Sequence, residues 1–141
     1  MPIYRFTIRE GQSNEEQRAQ IAKESVRVHC GVTGAPRIFV NAMFSEVGPG
    51  GSEFGSGEIP EGKVAYLHAT IRSGRDAAGK AEIVSDMTQS IARILGCTPE
   101  EVTVVTEDIP ANWCMEGGII LPEPGSPEEA AWKDMDFADD T

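Results

Sequence analysis

One plan written twice is the feature that most limits what this chain can fold into. Residues 3–9 alternate as a strand, with Tyr4, Phe6 and Ile8 on one side and Ile3, Arg5 and Thr7 on the other. GQSNEEQ breaks that strand, and Ser13 with Glu16 has the spacing of a capping box. The helix so started should run to about Cys30 and stop at Gly31, with Ile21, Ala22, Ser25, Val26 and His29 on one face. Residues 37–47, rich in Ile, Phe and Val, predict a second strand. After a glycine-rich loop or irregular hairpin, GPGGSEFGSGEIPEG, the pattern returns. Residues 64–72 predict a strand, and Asp76 caps a helix striped by Val84, Met87, Thr88, Ile91 and Leu95 that ends at Gly96. TPEE makes a short capped turn, and residues 102–106 close the plan with a strand.

Two β-α-β units in tandem, offset by roughly sixty residues, imply an α/β (α+β) fold. The expectation is a four-stranded mixed sheet with both helices on one face. A chain of 141 residues has the length of a single domain over 1–141: unit one 1–60, unit two 61–107, and a C-terminal arm with an acidic tail 108–141. That arm reads as irregular and suited to wrapping a neighbour. So short a chain leaves one sheet face without a cover, which predicts an oligomer.

Charge narrows the partners. Twelve basic against 23 acidic residues give a net charge of −11, a surface that repels nucleic acid and anionic membranes. No apolar run approaches a membrane span, and the first residues carry no signal-peptide core. Cys30, Cys97 and Cys114 are odd in number and lack C-x-x-C spacing, against a disulfide framework or a zinc site. A reduced, cytoplasmic protein is the expectation. There is no P-loop, G-x-G-x-x-G, H-E-x-x-H or G-x-S-x-G, so no cofactor and no metal is expected.

Four places carry residue types suited to chemistry. Pro2, behind the initiator methionine, is either a proline tolerated at the head of a strand or, once Met1 is trimmed, a free secondary amine. In IRSGR, Arg72 and Arg75 lie a short turn apart, and two guanidiniums so close repel unless they share an anion. A carboxylate or phosphate fits, as do acidic side chains of the protein itself. His29 falls on an apolar helix stripe near the helix C-terminus, where charge on imidazole is favoured. Glu116 follows Trp113 and Met115, and among apolar neighbours its pKa would rise and suit it to act as a base toward water. His68 lies on a strand whose alternation does not say which face it occupies.

Met1-Pro2 heading a strand, tandem β-α-β units and an arginine pair together resemble the tautomerase superfamily. MPIY, HCGVTG, IRSGR and IPANWCMEGGIILPEPG, in that order, resemble its cis-3-chloroacrylic acid dehalogenase family most. The resemblance runs over most of the chain and stops before the acidic tail. It implies a tautomerase-like fold assembled as a homotrimer, with Pro2 catalytic and Glu116 activating water. It implies that His29, Arg72 and Arg75 bind the carboxylate of a small substrate.

The activity implied is hydrolytic dehalogenation or hydration of a 3-haloacrylate to malonate semialdehyde. Keto-enol tautomerisation of a 2-hydroxy-dienoate or phenylenolpyruvate stands beside it, as does malonate semialdehyde decarboxylation. If Met1 is retained, a binding trimer without catalysis is the expectation. Val105 stands where the family has a tyrosine that helps position water, and Gly117 where it usually has an aromatic residue, so water attack is expected to be weakened.

Overall fold

The computed structural model describes residues 1–48 and 62–134, so most of the glycine-rich loop and the end of the acidic tail lie outside the described residues. Strand β1, Ile3–Arg9, begins the chain and keeps the expected alternation, with Tyr4, Phe6 and Ile8 buried. Helix α1, Glu15–Thr33, crosses over to strand β2, Asn41–Val47, which pairs parallel to β1. Strand β3, Ala65–Arg72, helix α2, Ala77–Leu95, and strand β4, Val102–Ile109, repeat the unit, again with parallel pairing. The two units join through β1 and β3, which run antiparallel, giving the order β2-β1-β3-β4. The expected mixed sheet is the one observed.

Alternation sends Tyr4, Phe6, Ile8, Leu67, Ala69 and Ile71 to one face of the sheet, into a core they share with Ile21 and Val28 of α1 and Ile83, Met87 and Ile91 of α2. Both helices therefore cover the same face. Phe6 and Phe44, opposite each other across β1 and β2, stack with ring centroids 4.8 Å apart. The other face carries Met43, Arg5, His68 and Val105 in one register row, and Met43 and Val105 are about half exposed. His68 is thus on the open face, where its Nε2 lies 2.8 Å from Glu107 Oε1.

Local chemistry moves several expected boundaries. Asn14, not Ser13, caps α1: its Oδ1 accepts from Gln17 N, and Gln17 Oε1 accepts from Asn14 N. The Ser13 hydroxyl is used elsewhere, accepting from Arg18 and donating to Glu46. Gly31 does not stop the helix. It continues to Thr33 and ends at Gly34, whose φ of 73° is the left-handed value that glycine takes without a Cβ clash. On its buried stripe Val28 takes the place expected of Val26. Asp76 and Gly96 do bound α2, as read from the sequence.

Residues 37–47 are not one strand. Arg37–Phe39 forms a 3-10 turn that drops Phe39 into the interior, and the ladder starts where Asn41 N donates to Pro2 O. The arm is also more regular than expected. A 3-10 turn at Ala111–Trp113 leads into a hairpin of β5, Met115–Glu116, and β6, Ile119–Ile120, followed by helix α3, Pro127–Asp134. The arm folds back on its own chain: Trp132 meets the Phe39 ring edge-on at 4.9 Å. A small second cluster of Met1, Phe39, Ala111 and Leu121 seals this end of the sheet. Among the described residues no helix is long and apolar enough to cross a membrane.

Candidate active site

Topology brings the candidate residues together. Because β1 and β3 are antiparallel, with Ile3 opposite Thr70, the chain's first residues lie beside the last residues of β3. Because α1 returns to the start of β2, its C-terminal turn reaches the same end. Met1, Pro2, His29, Arg72, Arg75 and Glu116 consequently gather at one edge of the fold, contributed by four separate stretches of sequence.

With Met1 attached, the nitrogen of Pro2 is an amide and the free amine belongs to Met1. That ammonium is buried; it donates to Phe39 O at 3.0 Å and is ion-paired with Glu116 Oε1. Pro2 itself is buried and holds the ladder through its carbonyl. Glu116 is not caged by apolar groups, as its sequence neighbours suggested. Trp113 and Met115 turn to solvent, and the carboxylate meets the ammonium and Asn41 Nδ2, the latter at 3.2 Å. A β-turn signal at Gly117-Gly118, both with positive φ, is what aims Glu116 back at the amine.

His29 is 1% exposed, and its Nδ1 shares a 3.0 Å hydrogen bond with the Tyr4 hydroxyl. Burial pushes the Tyr4 phenol up, helped by Cys30, so it stays neutral. The charged imidazole expected at a helix end is not what forms. Burial, then the charges of Arg75, Arg72 and the amino terminus, lower His29 from its ordinary 6.5 to about 3. His29 serves this site as a neutral group.

A pH dependence follows. The unfolded chain takes up this proton near 6.5 and the folded chain only near 3, so stability falls as pH drops through that interval. The slope reaches about 1.4 kcal/mol per pH unit at its steepest. Glu24, held near 2 chiefly by its hydrogen bond from Arg27, adds loss in the same direction only below 4.5. Urea unfolding between pH 6.5 and 4.5 should therefore show a decline that His29→Gln flattens; an unchanged slope in that variant would refute this account.

The two arginines are held differently. Arg72, 1% exposed at the end of β3, donates from Nη1 to Pro122 O at 2.7 Å and from Nη2 to Glu129 Oε2 at 2.5 Å. Its guanidinium also lies 4.8 Å from the centre of the Phe39 ring. Burial pushes the Glu129 carboxyl up, but the Gly125 N–H and Arg72 outweigh it and hold the group below its ordinary range. Arg75 follows a turn in which Gly74 has a φ of 111°, closed to other residues without strain. Its Nη1 donates to Thr33 O, the free carbonyl at the end of α1, a helix with no basic residue in its own last turn. Nε and Nη2 of Arg75 are buried with no hydrogen-bond partner among the described residues. Burial, then Arg72, lower the Arg75 pKa.

Sequence reasoning missed three supports: Tyr4 behind His29, Asn41 beside Glu116, and Glu129 on Arg72. Alternation places Tyr4 and His29 on facing buried stripes, which was a usable signal. Glu129 had none, since its helix was read as irregular. Val105 lies on the open face, opposite His68 in the register and about half exposed. Among the described residues no three His, Cys, Asp or Glu side chains are grouped to hold a metal ion.

Known proteins share the sequence pattern and the fold of this chain. Residues 1–136 match the Tautomerase_3 family, described as "Putative oxalocrotonate tautomerase enzyme". "Probable tautomerase RSp1151" of Ralstonia nicotianae (strain ATCC BAA-1114 / GMI1000) is 36% identical over 55 residues, 38% of this chain and 85% of that protein. A stretch of that size is one β-α-β unit. A crystal structure of N1, a member of the cis-3-chloroacrylic acid dehalogenase (cis-CaaD) family, superposes with a TM-score of 0.82 at 33% identity, covering 95% of this chain and 97% of that one. A fused 4-OT asymmetric trimer shares the fold, with a TM-score of 0.74 at 22% identity over 84% of this chain and 95% of that one. With its two-unit fold and its amino end set among these charged groups, this chain belongs to the Tautomerase_3 family of the tautomerase superfamily and is related to the cis-CaaD family.

Proposed function

We propose that this protein is an amino-terminal-proline enzyme acting on small unsaturated carboxylates, with hydration or hydrolytic dehalogenation of a 3-haloacrylate as its reaction. The observation that carries the reading is the meeting of the chain's amino end with Glu116, His29 and the Arg72–Arg75 turn. Removal of Met1 gives Pro2 a free secondary amine next to the seat of the present ammonium. The substrate carboxylate docks at the arginine turn, with neutral His29 beside it. Positive charge there draws electron density toward the carboxylate and leaves the β-carbon electrophilic. Water gives a proton to Glu116, which Asn41 orients, and its oxygen bonds to the β-carbon. Protonated Pro2 delivers its proton to the α-carbon. The resulting halohydrin loses hydrogen halide to give malonate semialdehyde.

A second reading has its own support. Glu116 Oε1 already accepts from Asn41 Nδ2, and Val105 offers no hydroxyl, both of which weaken water activation. Keto-enol conversion of a 2-hydroxy-dienoate or phenylenolpyruvate needs only Pro2 as a neutral shuttle and no activated water. Decarboxylation of malonate semialdehyde, assisted by a cationic proline, uses the same dock. With Met1 retained, the assembly would bind carboxylates without catalysis.

We also propose a homotrimer working in the cytoplasm. Half-exposed Met43 and Val105 on the open sheet face need a cover, and the fused 4-OT structure is described as a trimer. Cys30, Cys97 and Cys114 form no disulfide, as suits a reducing compartment.

The test is a panel of cis- and trans-3-haloacrylates with phenylenolpyruvate, assayed on protein whose intact mass shows that it begins at Pro2. Halide release is expected, and Glu116→Gln should depress it by about 10²-fold or more, well beyond any effect on enol–keto conversion. Enol–keto conversion without halide release would select the second reading. Turnover of none of these substrates would end both.

A further inference from the structure

The arginine pair was expected to share an anion, and the anion in the structure belongs to the protein. Glu129, on the last helix, is buried against Arg72, with Oε2 on Nη2 at 2.5 Å and Oε1 accepting from Gly125 N at 2.9 Å. Both side chains are nearly inaccessible, at 1% and 4%. Arg72 spends its other terminal nitrogen on Pro122 O and its face on Phe39. Arg75 is the opposite case. Its Nη1 is tied to Thr33 O, while Nε and Nη2 have no acceptor among the described residues. Those two nitrogens form one edge of the guanidinium, the side-on fork that takes both oxygens of a carboxylate. Arg75 is only half-buried and stands on a surface turn, so a small side-chain rotation presents that edge to an incoming anion.

We propose that Glu129 is a specificity-determining residue: by neutralising Arg72 it leaves Arg75 as the single open carboxylate fork and tunes the site to monocarboxylates against dicarboxylates. The inference deepens the proposed function and rests on its placing the substrate carboxylate at this turn. Two uncompensated arginines would suit a dianion. One arginine cancelled by a buried carboxylate leaves room for a single negative charge at this turn, and a second one meets the Glu129 carboxylate. Neutral His29 adds no charge to alter that balance. A carboxylate on Arg75 also gives acceptors to two buried donors, each of which is costly to leave unpaired.

Binding of unreactive ligands reads this dock without turnover, so its outcome is separable from the fate of the proposed reaction. Titration calorimetry of the protein beginning at Pro2, with propionate and with succinate, should show propionate bound more tightly. Glu129→Gln, which keeps shape and removes charge, should shift the ratio toward succinate by about tenfold or more. Glu129→Asp, which keeps the charge, should retain the wild-type order. Succinate binding the wild type as well as propionate does would overturn the proposal, whether or not the variants fold. An unchanged ratio in folded Glu129→Gln, or equal tightening of both ligands, would overturn it too, the latter because Glu129 would then only obstruct the site.

Discussion

Protein that begins at Pro2 is expected to convert phenylenolpyruvate about 10²–10⁴ times faster than protein that keeps Met1, the range that a positioned proton-transfer group supplies. The reason lies in one atom. With Met1 attached, the nitrogen of residue 2 is an amide and neither holds nor releases a proton near neutral pH. Met1's own primary amine does not replace it, because it is ion-paired with Glu116 and bonded to Phe39 O. Samples with different extents of methionine removal, quantified by intact mass, should give rates proportional to the trimmed fraction. Pro2→Ala in trimmed protein should also be slow, since a primary amine on a freely rotating residue loses the ring's fixed direction. Equal rates from fully trimmed and fully untrimmed protein would remove Pro2 from the mechanism.

The largest effect on stability is expected at Arg72. Arg72→Met strands the Glu129 carboxylate in a closed environment, and breaking such a buried pair from one side costs about 3–5 kcal/mol. The double variant Arg72→Met/Glu129→Leu should recover most of that loss, because an apolar pair of similar volume needs no counter-charge. Urea unfolding at one fixed protein concentration separates these outcomes, with concentration held constant because assembly contributes to apparent stability. If the single and double variants lose stability equally, the pair matters through the packing of Phe39 and Trp132 and not through charge.

Much of this fold was legible because its two units obey simple periods. Alternation in β1 sorted Tyr4, Phe6 and Ile8 from Ile3, Arg5 and Thr7, and the stripe on α2 put Met87, Ile91 and Leu95 in the core. Asp76 and Gly96 were readable since each uses only its own backbone neighbours. Errors arose where a distant partner decided. Ser13 lost the cap because Arg18 and Glu46 claimed its hydroxyl. Residues 37–39 left the strand because Phe39 had a second cluster to fill.

The same division holds at the site. Pro2, His29, Arg72, Arg75 and Glu116 each announced a chemical capacity in the sequence. That His29 is neutral, that Glu116 meets an ammonium and that Arg72 is already satisfied are properties of the surroundings. Those surroundings are assembled from residues up to 115 positions apart. No local window contains them.

The doubled architecture has one more result, and it concerns stoichiometry. The two ends of the sheet are near-equivalents, since Ala65 opens the second unit as Ile3 opens the first. The counterpart of Pro2 at the far end is therefore Val64, whose nitrogen is an interior amide donating to Glu101 O at 2.8 Å. Cutting off a single residue creates a terminal nitrogen only at the near end. On the proposed mechanism each polypeptide would hold one working centre rather than two, and a trimer of it would carry three.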